Sequence, residues 1–272
     1  MAGLSVDQGH YSAYGRSSRV DRGVIEESRV VHGSTPAHEI VGAHRALGAA
    51  GQADMVWGHA AVRDPDGRGL WTKAAGWGME EITPARVVLL SDDGEILVGD
   101  GPRHIEFHIH AALLRARPDV GATVHTHGEA AAAFAALDVP LRPLSHDAVP
   151  FLAPDVVRFT ATSDLVATRS LGDALADSLG GANGCLIPGH GMVTVGPDIA
   201  TAVMHAALLE RACRIQLMAS VNGGPAVWSS EADVAAKQRG LWSATQLSAG
   251  YDYLLRKADA QFGELDRADA GS

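Results

Sequence analysis

Apolar residues recur along this chain at two alternating spacings. In TPAHEIVGAHRALGAAG, Ile40, Val41, Ala43, Leu47 and Ala50 fall near helical spacing between a Thr35-Pro36 start and a Gly51 stop, which predicts a first helix. From Val56 to Gly101 the pattern shortens to the runs AAVRD, LWTKA, RVVLL and EILVG, broken by DPDG and DDG, and predicts strands of an antiparallel sheet joined by tight turns. Helical spacing returns over 106–116, where Ile109, Ala112, Leu113 and Ala116 form one stripe that Arg117-Pro118-Asp119 ends. DVGATVHTH then reads as a buried strand with Val120, Ala122 and Val124 on one face and both histidines on the other.

The second half keeps this rhythm. GEAAAAFAAL and LGDALADSLGG are short helices, GCLIPGHGMVTVG is a strand, a turn and a strand, and DIATAVMHAALLERACRIQLMAS is a long amphipathic helix. A last helix is predicted near 231–258, carrying Trp242, Leu247, Leu254 and Leu255. Residues 1–32 are polar without sustained periodicity and read as a loosely ordered N-terminal arm, and 263–272 as a flexible tail. Neither a linker nor a fixed-period repeat divides residues 33–262, so helices alternating with strands predict a single α/β domain there.

Composition narrows the function. With 46% hydrophobic and 20% charged residues among 272, the chain is in the ordinary globular range and long enough to bury a core without staples. Lys and Arg number 22 against 32 Asp and Glu, a net charge of −10, which disfavours nucleic acid as a partner. No apolar run approaches the length of a bilayer span, the opening stretch lacks the apolar core of a secretory signal, and Cys185 and Cys213 form no pairing motif. The expectation is a cytoplasmic protein with no membrane partner.

The unusual count is 13 histidines. His125 and His127 lie two apart in a predicted strand, so both imidazoles project to one side and can chelate one metal. His190, between Gly189 and Gly191 in a turn, is a candidate third nitrogen, and Glu106 at a helix start a candidate fourth ligand or base. Three nitrogens and an oxygen suit one divalent ion: Zn, Mn or Fe(II). His110, four residues after Glu106, shares its helix face and is placed to support the site. Taken singly, His10, His32, His38, His44, His59, His104, His108, His146 and His205 read as surface or satisfied core residues. His104-Ile105-Glu106 matches half of a zinc deaminase signature, but no P-C-x-x-C follows it. H-E-x-x-H, the phosphate-binding loop, G-x-S-x-G and a dinucleotide fingerprint are all absent.

Taken in order, WGHAAVRD (57–64), EFHIH (106–110), RPDVGATVHTH (117–127) and PGHGMVTVG (188–196) resemble the class II aldolase/adducin family over roughly residues 35–220. The resemblance implies a three-layer α/β/α sandwich around a largely antiparallel central sheet, commonly in a ring-shaped homotetramer with active sites between subunits. It also implies that His125, His127 and His190 bind the metal, that Glu106 is a ligand and the catalytic acid/base, and that His110 matches a histidine common in that helix. Where sugar-phosphate aldolases of the family carry Gly-Asn and Ser-Ser to hold the phosphate, this chain has Gly58-His59 and His104-Ile105. Ile105 offers no donor to a phosphate oxygen, which points to a non-phosphorylated substrate.

The G-H-x-x-V-R-D motif resembles the branch of decarboxylases for aromatic hydroxy acids, and also the non-haem iron oxygenases of aminocoumarin biosynthesis. The leading expectation is a metal-dependent carbon–carbon lyase decarboxylating an aromatic hydroxy acid or 2-oxo acid, its partner a small-molecule carboxylate. Alternatives are an Fe(II), O2-dependent oxygenase shortening an aryl pyruvate or mandelate side chain, an aldolase on a non-phosphorylated substrate, and a non-catalytic adducin-like module. His59, His110 and His146 are candidates for binding substrate or orienting a ligand, Arg63 for gripping a carboxylate, and Trp242, Tyr251 and Tyr253 for lining a pocket.

Overall fold

Thr35 opens helix α1 (Pro36–Ala49): its hydroxyl accepts from the His38 N–H, and Pro36 occupies the first turn where no intrahelical donor is needed. The computed structural model describes residues 35–152, 155–221 and 223–263, so the arm over 1–32 and all but Gly263 of the 263–272 tail lie outside the described residues. After α1 come β1 (His59–Arg63), β2 (Leu70–Lys73), β3 (Val87–Leu90) and β4 (Ile96–Val98), each antiparallel to the next. Then follow α2 (Phe107–Ala116), β5 (Ala122–Thr126), α3 (Glu129–Ala135), β6 (Val157–Arg158), α4 (Arg169–Leu179), β7 (Gly184–Ile187), β8 (Gly191–Gly196) and α5 (Ile199–Ser220).

The strands form one eight-stranded sheet in the order β4-β3-β2-β1-β5-β8-β7-β6, antiparallel except where β6 meets β7. Alternating side chains divide the core into two layers. Ala60, Val62, Ala122, Val124, Leu186 and Met192 pack toward α1, α3, α5 and the C-terminal helix, while Ala61, Leu70, Cys185, Ile187, Val193 and Val195 pack toward α2 and α4. The result is the expected three-layer α/β/α sandwich around a largely antiparallel sheet. Among the described residues no helix is long and apolar enough to cross a membrane.

Three local readings need correction. Val120 does not share a face with Ala122 and Val124; it precedes the strand and packs in the layer of α2 and α4. The predicted helix over 231–258 is two helices, α6 (Glu231–Gly240) and α7 (Ala244–Phe262). Leu241 is extended, Trp242 adopts φ 60°, and Ser243 starts α7 afresh by accepting from the Gln246 N–H. Arg63, a candidate for gripping a carboxylate, is committed to the backbone instead. Its guanidinium donates to the carbonyls of Leu114 (2.6 Å), Arg117 (3.0 Å) and Val120 (2.7 Å), closing the C-terminal end of α2.

The β1–β2 hairpin depends on Asp64, a buried carboxylate that accepts from the Arg68 backbone N–H, the Arg68 guanidinium and the Trp71 indole. The Arg68 side chain bonded to it holds its carboxyl well below the usual carboxylate range, against the opposing effect of burial. A carboxyl with a lower pKa in the folded chain contributes stability at neutral pH that fades as pH falls below the ordinary value of about 4. Asp64→Asn is therefore expected to destabilise the protein by about 1–2 kcal/mol at pH 7. In denaturant titrations the deficit relative to wild type should shrink on going from pH 7 toward pH 3; a deficit that grew would contradict this account.

Candidate metal centre

Three strands and a helix start bring the candidate ligands together. His59 and His125 are direct neighbours across the β1–β5 pair, and both point to the α2 face, as their registers with Ala61 and Thr123 require. β5 ends at Thr126, so His127 lies just beyond the strand. His190 comes from the tight turn between β7 and β8, where Gly189 has φ 75°. Gly191 lets that turn close on β5, since a Cβ there would stand 2.4 Å from the Thr126 carbonyl oxygen. Glu106 stands at the N-cap position of α2, the helix packed against β5 and α4, with its side chain making no cap hydrogen bond.

Glu106, His125, His127 and His190 each offer a ligand atom, all within 4.8 Å of one another. The Nε2 atoms of His125 and His127 are 3.1 Å apart, and Glu106 Oε2 is 3.6 Å from His125 Nε2 and 3.5 Å from His190 Nε2. Atoms about 2.0–2.2 Å from one ion stand roughly 3–3.5 Å from each other, so these separations suit a shared cation.

The hydrogen bonds on the outer side of the rings decide the matter further. His125 Nδ1 donates to the Met192 carbonyl at 3.0 Å and His127 Nδ1 donates to Asp54 Oδ2 at 2.8 Å. Each neutral ring has one N–H, so both Nε2 atoms carry bare lone pairs facing one another, an arrangement that a cation between them makes favourable. Both nitrogens of His190 are buried without a partner, and Glu106 uses Oε1 to accept the Val166 N–H at 2.8 Å, leaving Oε2 free. The residues therefore fit a divalent ion.

Electrostatics keeps the donors in their ligand forms. Glu106 Oε1 accepts the Val166 N–H, a bond that favours the ionised carboxylate. His127 is lowered by burial and by neighbouring His125, with Asp54 partly opposing, so it is neutral at pH 7.

His110 and His59 stand behind the cluster. His110 Nδ1 meets the Thr123 hydroxyl and its Nε2 meets His59 Nδ1, each at 2.5 Å, and the His59 and His125 rings are 5.3 Å apart. His146 is not brought to this group. It begins a 3-10 turn (His146–Phe151) and lines a separate cavity of about 500 Å3 with Arg211, Lys237 and Trp242. Tyr251 is buried in the core and Tyr253 is exposed, so of the three aromatic candidates only Trp242 lines that cavity.

Sequence reasoning missed two kinds of residue. Asp54 sits in a loop far from any motif, and only the folded chain shows it orienting His127. Gln52 and Glu210 anchor the segment around that histidine: Thr126 donates to Gln52 Oε1, and Glu210 accepts the N–H groups of Ala130 and Ala131 at the start of α3. Gly128 leaves space for that carboxylate, since a Cβ there would meet Glu210 Oε2 at 2.4 Å. The signal that was available is α3 beginning on Gly128 with no side-chain cap of its own.

Residues 38–217 match the family described as Class II Aldolase and Adducin N-terminal domain. The chain is 35% identical over 175 residues to the 4-hydroxy-3-prenylphenylpyruvate oxygenase/4-hydroxy-3-prenylbenzoate synthase of Streptomyces roseochromogenus subsp. oscitans, covering 63% of this chain and 62% of that protein. It is 35% identical over 176 residues to Decarboxylase NovR of Streptomyces niveus, covering 63% and 64%. The match thus spans slightly under two thirds of the length of either relative. Among solved structures, an L-fuculose 1-phosphate aldolase from Glaciozyma antarctica PI12 superposes with a TM-score of 0.74 at 26% identity, covering 85% of this chain and 91% of that one.

Removing the carboxylate that orients a metal-binding histidine typically weakens metal affinity about 10- to 100-fold. Asp54→Asn is expected to weaken zinc binding by that factor with little change in thermal stability of the metal-free protein, measured by competition with a chromogenic chelator. Unchanged zinc affinity would remove Asp54 from the centre.

Proposed function

The chain belongs to the class II aldolase and adducin family, and from that premise we propose that it is a metal-dependent carbon–carbon lyase, a decarboxylase of a non-phosphorylated aromatic hydroxy acid or 2-oxo acid. The observation that carries this reading is the convergence of the bare Nε2 atoms of His125 and His127, the unpaired nitrogens of His190 and the free Oε2 of Glu106 on one region. An ion of Zn, Mn or Fe(II) held there would bind a substrate oxygen next to the breaking bond and stabilise the electron pair left behind.

Glu106 is the catalytic acid/base in this scheme. It is ionised, and its Oε2 touches no donor closer than 3.5 Å, so it is available to take a proton and return it to the carbon that loses carbon dioxide. His59, held through His110 to Thr123, keeps one side of the pocket fixed. Exposed Ile105, just before Glu106, supplies apolar surface where the family resemblance puts a serine of the sugar-phosphate enzymes. That replacement favours a flat, hydrophobic substrate and leaves a phosphate dianion without compensating donors. An aldol cleavage of a non-phosphorylated substrate would use the same groups.

A second reading is an Fe(II), O2-dependent oxygenase acting on an aryl pyruvate or mandelate. It is favoured by the name of the Streptomyces roseochromogenus relative and by a donor set that also suits iron. The adducin-like, non-catalytic reading is disfavoured because a complete set of donors is retained. We further read the protein as a cytoplasmic homo-oligomer, a tetramer as is common in its family, with buried free thiols at Cys185 and Cys213 in keeping with a reducing compartment.

The test is elemental analysis combined with a screen of hydroxybenzoates and aryl pyruvates under air and under strict anaerobiosis. Carbon dioxide release without oxygen, abolished in His125→Ala together with bound metal, is the expected result. Strict dependence on O2, with labelled oxygen in the product, would replace the lyase by the oxygenase. Protein without stoichiometric metal and without turnover would support the non-catalytic module.

A further inference from the structure

The segment 52–57 grips His127 and its strand from outside the donor set. Gln52 Oε1 accepts the Thr126 hydroxyl at 2.8 Å and Asp54 Oδ2 accepts the His127 Nδ1–H at 2.8 Å. The Trp57 N–H donates to the Asp54 carbonyl at 3.0 Å and closes a tight turn over Asp54–Trp57. Inside that turn Met55 adopts φ 47°, a left-handed conformation that is unfavourable for any residue with a side chain. Its side chain is 68% exposed, so packing of Met55 itself does not offset the cost. Such a conformation persists only where the surrounding structure imposes it.

Lys73 supplies a constraint of that kind. It has no exposed surface, and its ammonium donates to the carbonyl of Val56, inside the turn, at 2.8 Å and to that of Trp77 at 2.7 Å. The Trp77 segment is itself anchored: the Arg86 guanidinium lies 3.5 Å from the centre of the Trp77 ring, and the Gly78 N–H donates to Glu81 Oε2 at 2.8 Å. Among the described residues no carboxylate stands within ion-pair distance of Lys73. A buried ammonium without a counter-ion is costly, and a methionine would fill similar space without that cost. What lysine adds is a charge-assisted hydrogen bond to each of two loops.

Lys73 does not reach the ligands directly. The β2–β3 register pairs it with Val87 and places it on the α1 face, whereas His59 and His125 lie on the α2 face. Any influence on the centre must therefore pass through the turn. We propose that Lys73 is a positioning residue of the metal centre: by holding the Val56 carbonyl, its ammonium keeps the Asp54–Trp57 turn in place, and Asp54 thereby fixes the His127 ring with Nε2 toward the cation. The proposal rests on the reading of Glu106, His125, His127 and His190 as a metal site, and it adds a residue that contacts none of those four.

The test compares wild type, Lys73→Met, Asp54→Asn and the double variant, each prepared metal-free and titrated with zinc against a chromogenic chelator. Lys73→Met is expected to weaken zinc binding about 10- to 100-fold, the range for losing a group that orients a ligand. Both substitutions act through the same hydrogen bond, so the double variant should bind zinc within about twofold of Asp54→Asn alone, whereas independent contributions would multiply. Spectra of the metal-free proteins carrying 15N-labelled histidine give a second readout. The His127 Nδ1 resonance should move in Lys73→Met in the direction it moves in Asp54→Asn, while that of His125 Nδ1, bonded to the Met192 carbonyl, stays in place.

Wild-type zinc affinity in Lys73→Met would overturn the proposal. Losses that multiply in the double variant, or equal movement of the His125 and His127 resonances, would overturn it as well, by making Lys73 a support of the fold as a whole. Wild-type protein that binds no zinc would remove the underlying reading and the proposal with it, a result separable from the others because it needs no variant. Should Lys73→Met not fold, the wild-type protein decides. Burial pulls the Lys73 ammonium down to about 8, with Glu81 and Glu80 opposing, while the imidazoles that sense its charge, those of His44, His59 and His104, are already neutral at pH 7. Raising the pH from about 7 to about 9 therefore removes most of the charge that strengthens the two hydrogen bonds. Movement of the His127 Nδ1 resonance with that titration supports the positioning role, and a constant resonance overturns it.

Discussion

The site depends on where two imidazoles spend their single N–H. His125 gives its proton to the Met192 carbonyl and His127 gives its proton to Asp54, so the opposite nitrogens must converge as lone pairs. Two such lone pairs 3.1 Å apart are unfavourable alone and favourable around a cation. Much of the surrounding structure serves to keep this arrangement. The β5–β8 register sets Met192 beside Thr126 and Val193 beside His125, Gln52 holds the Thr126 hydroxyl, and Glu210 anchors the start of α3 just after His127.

The architecture explains why the centre forms at this end of the sheet. β1 and β5 are adjacent in the sheet although dozens of residues separate them in the chain, and their pairing places His59 against His125. The β7–β8 turn delivers His190 on the other side of β5, and α2 presents Glu106 at its first turn while its far end is closed by Arg63. Burial then favours neutral imidazoles, as for His59, His110 and His127, while the one carboxylate of the set remains ionised.

Family membership and local chemistry contribute different parts of the functional reading. The sandwich is shared with an enzyme that handles a sugar phosphate, whereas the relatives named for an oxygenase and a decarboxylase carry more of the sequence likeness. Around the donors, this chain has the further imidazoles of His59 and His110, and Ile105 precedes Glu106 in the chain.

Much of this was legible in the sequence. Helical and strand periodicity located the elements, because each buries one side against a neighbour and so repeats at its own period. The His-x-His pair, the glycine-flanked His190 and Glu106 were identifiable because ligand chemistry restricts residue type. The break between α6 and α7 at Trp242, the backbone role of Arg63 and the isolation of His146 were not legible, since each depends on which surfaces meet. Nor was Asp54, which belongs to no motif. The sequence by itself determined which atoms can bind a metal; tertiary structure decided which of them face one point, because hydrogen-bond direction and burial are set by partners distant along the chain.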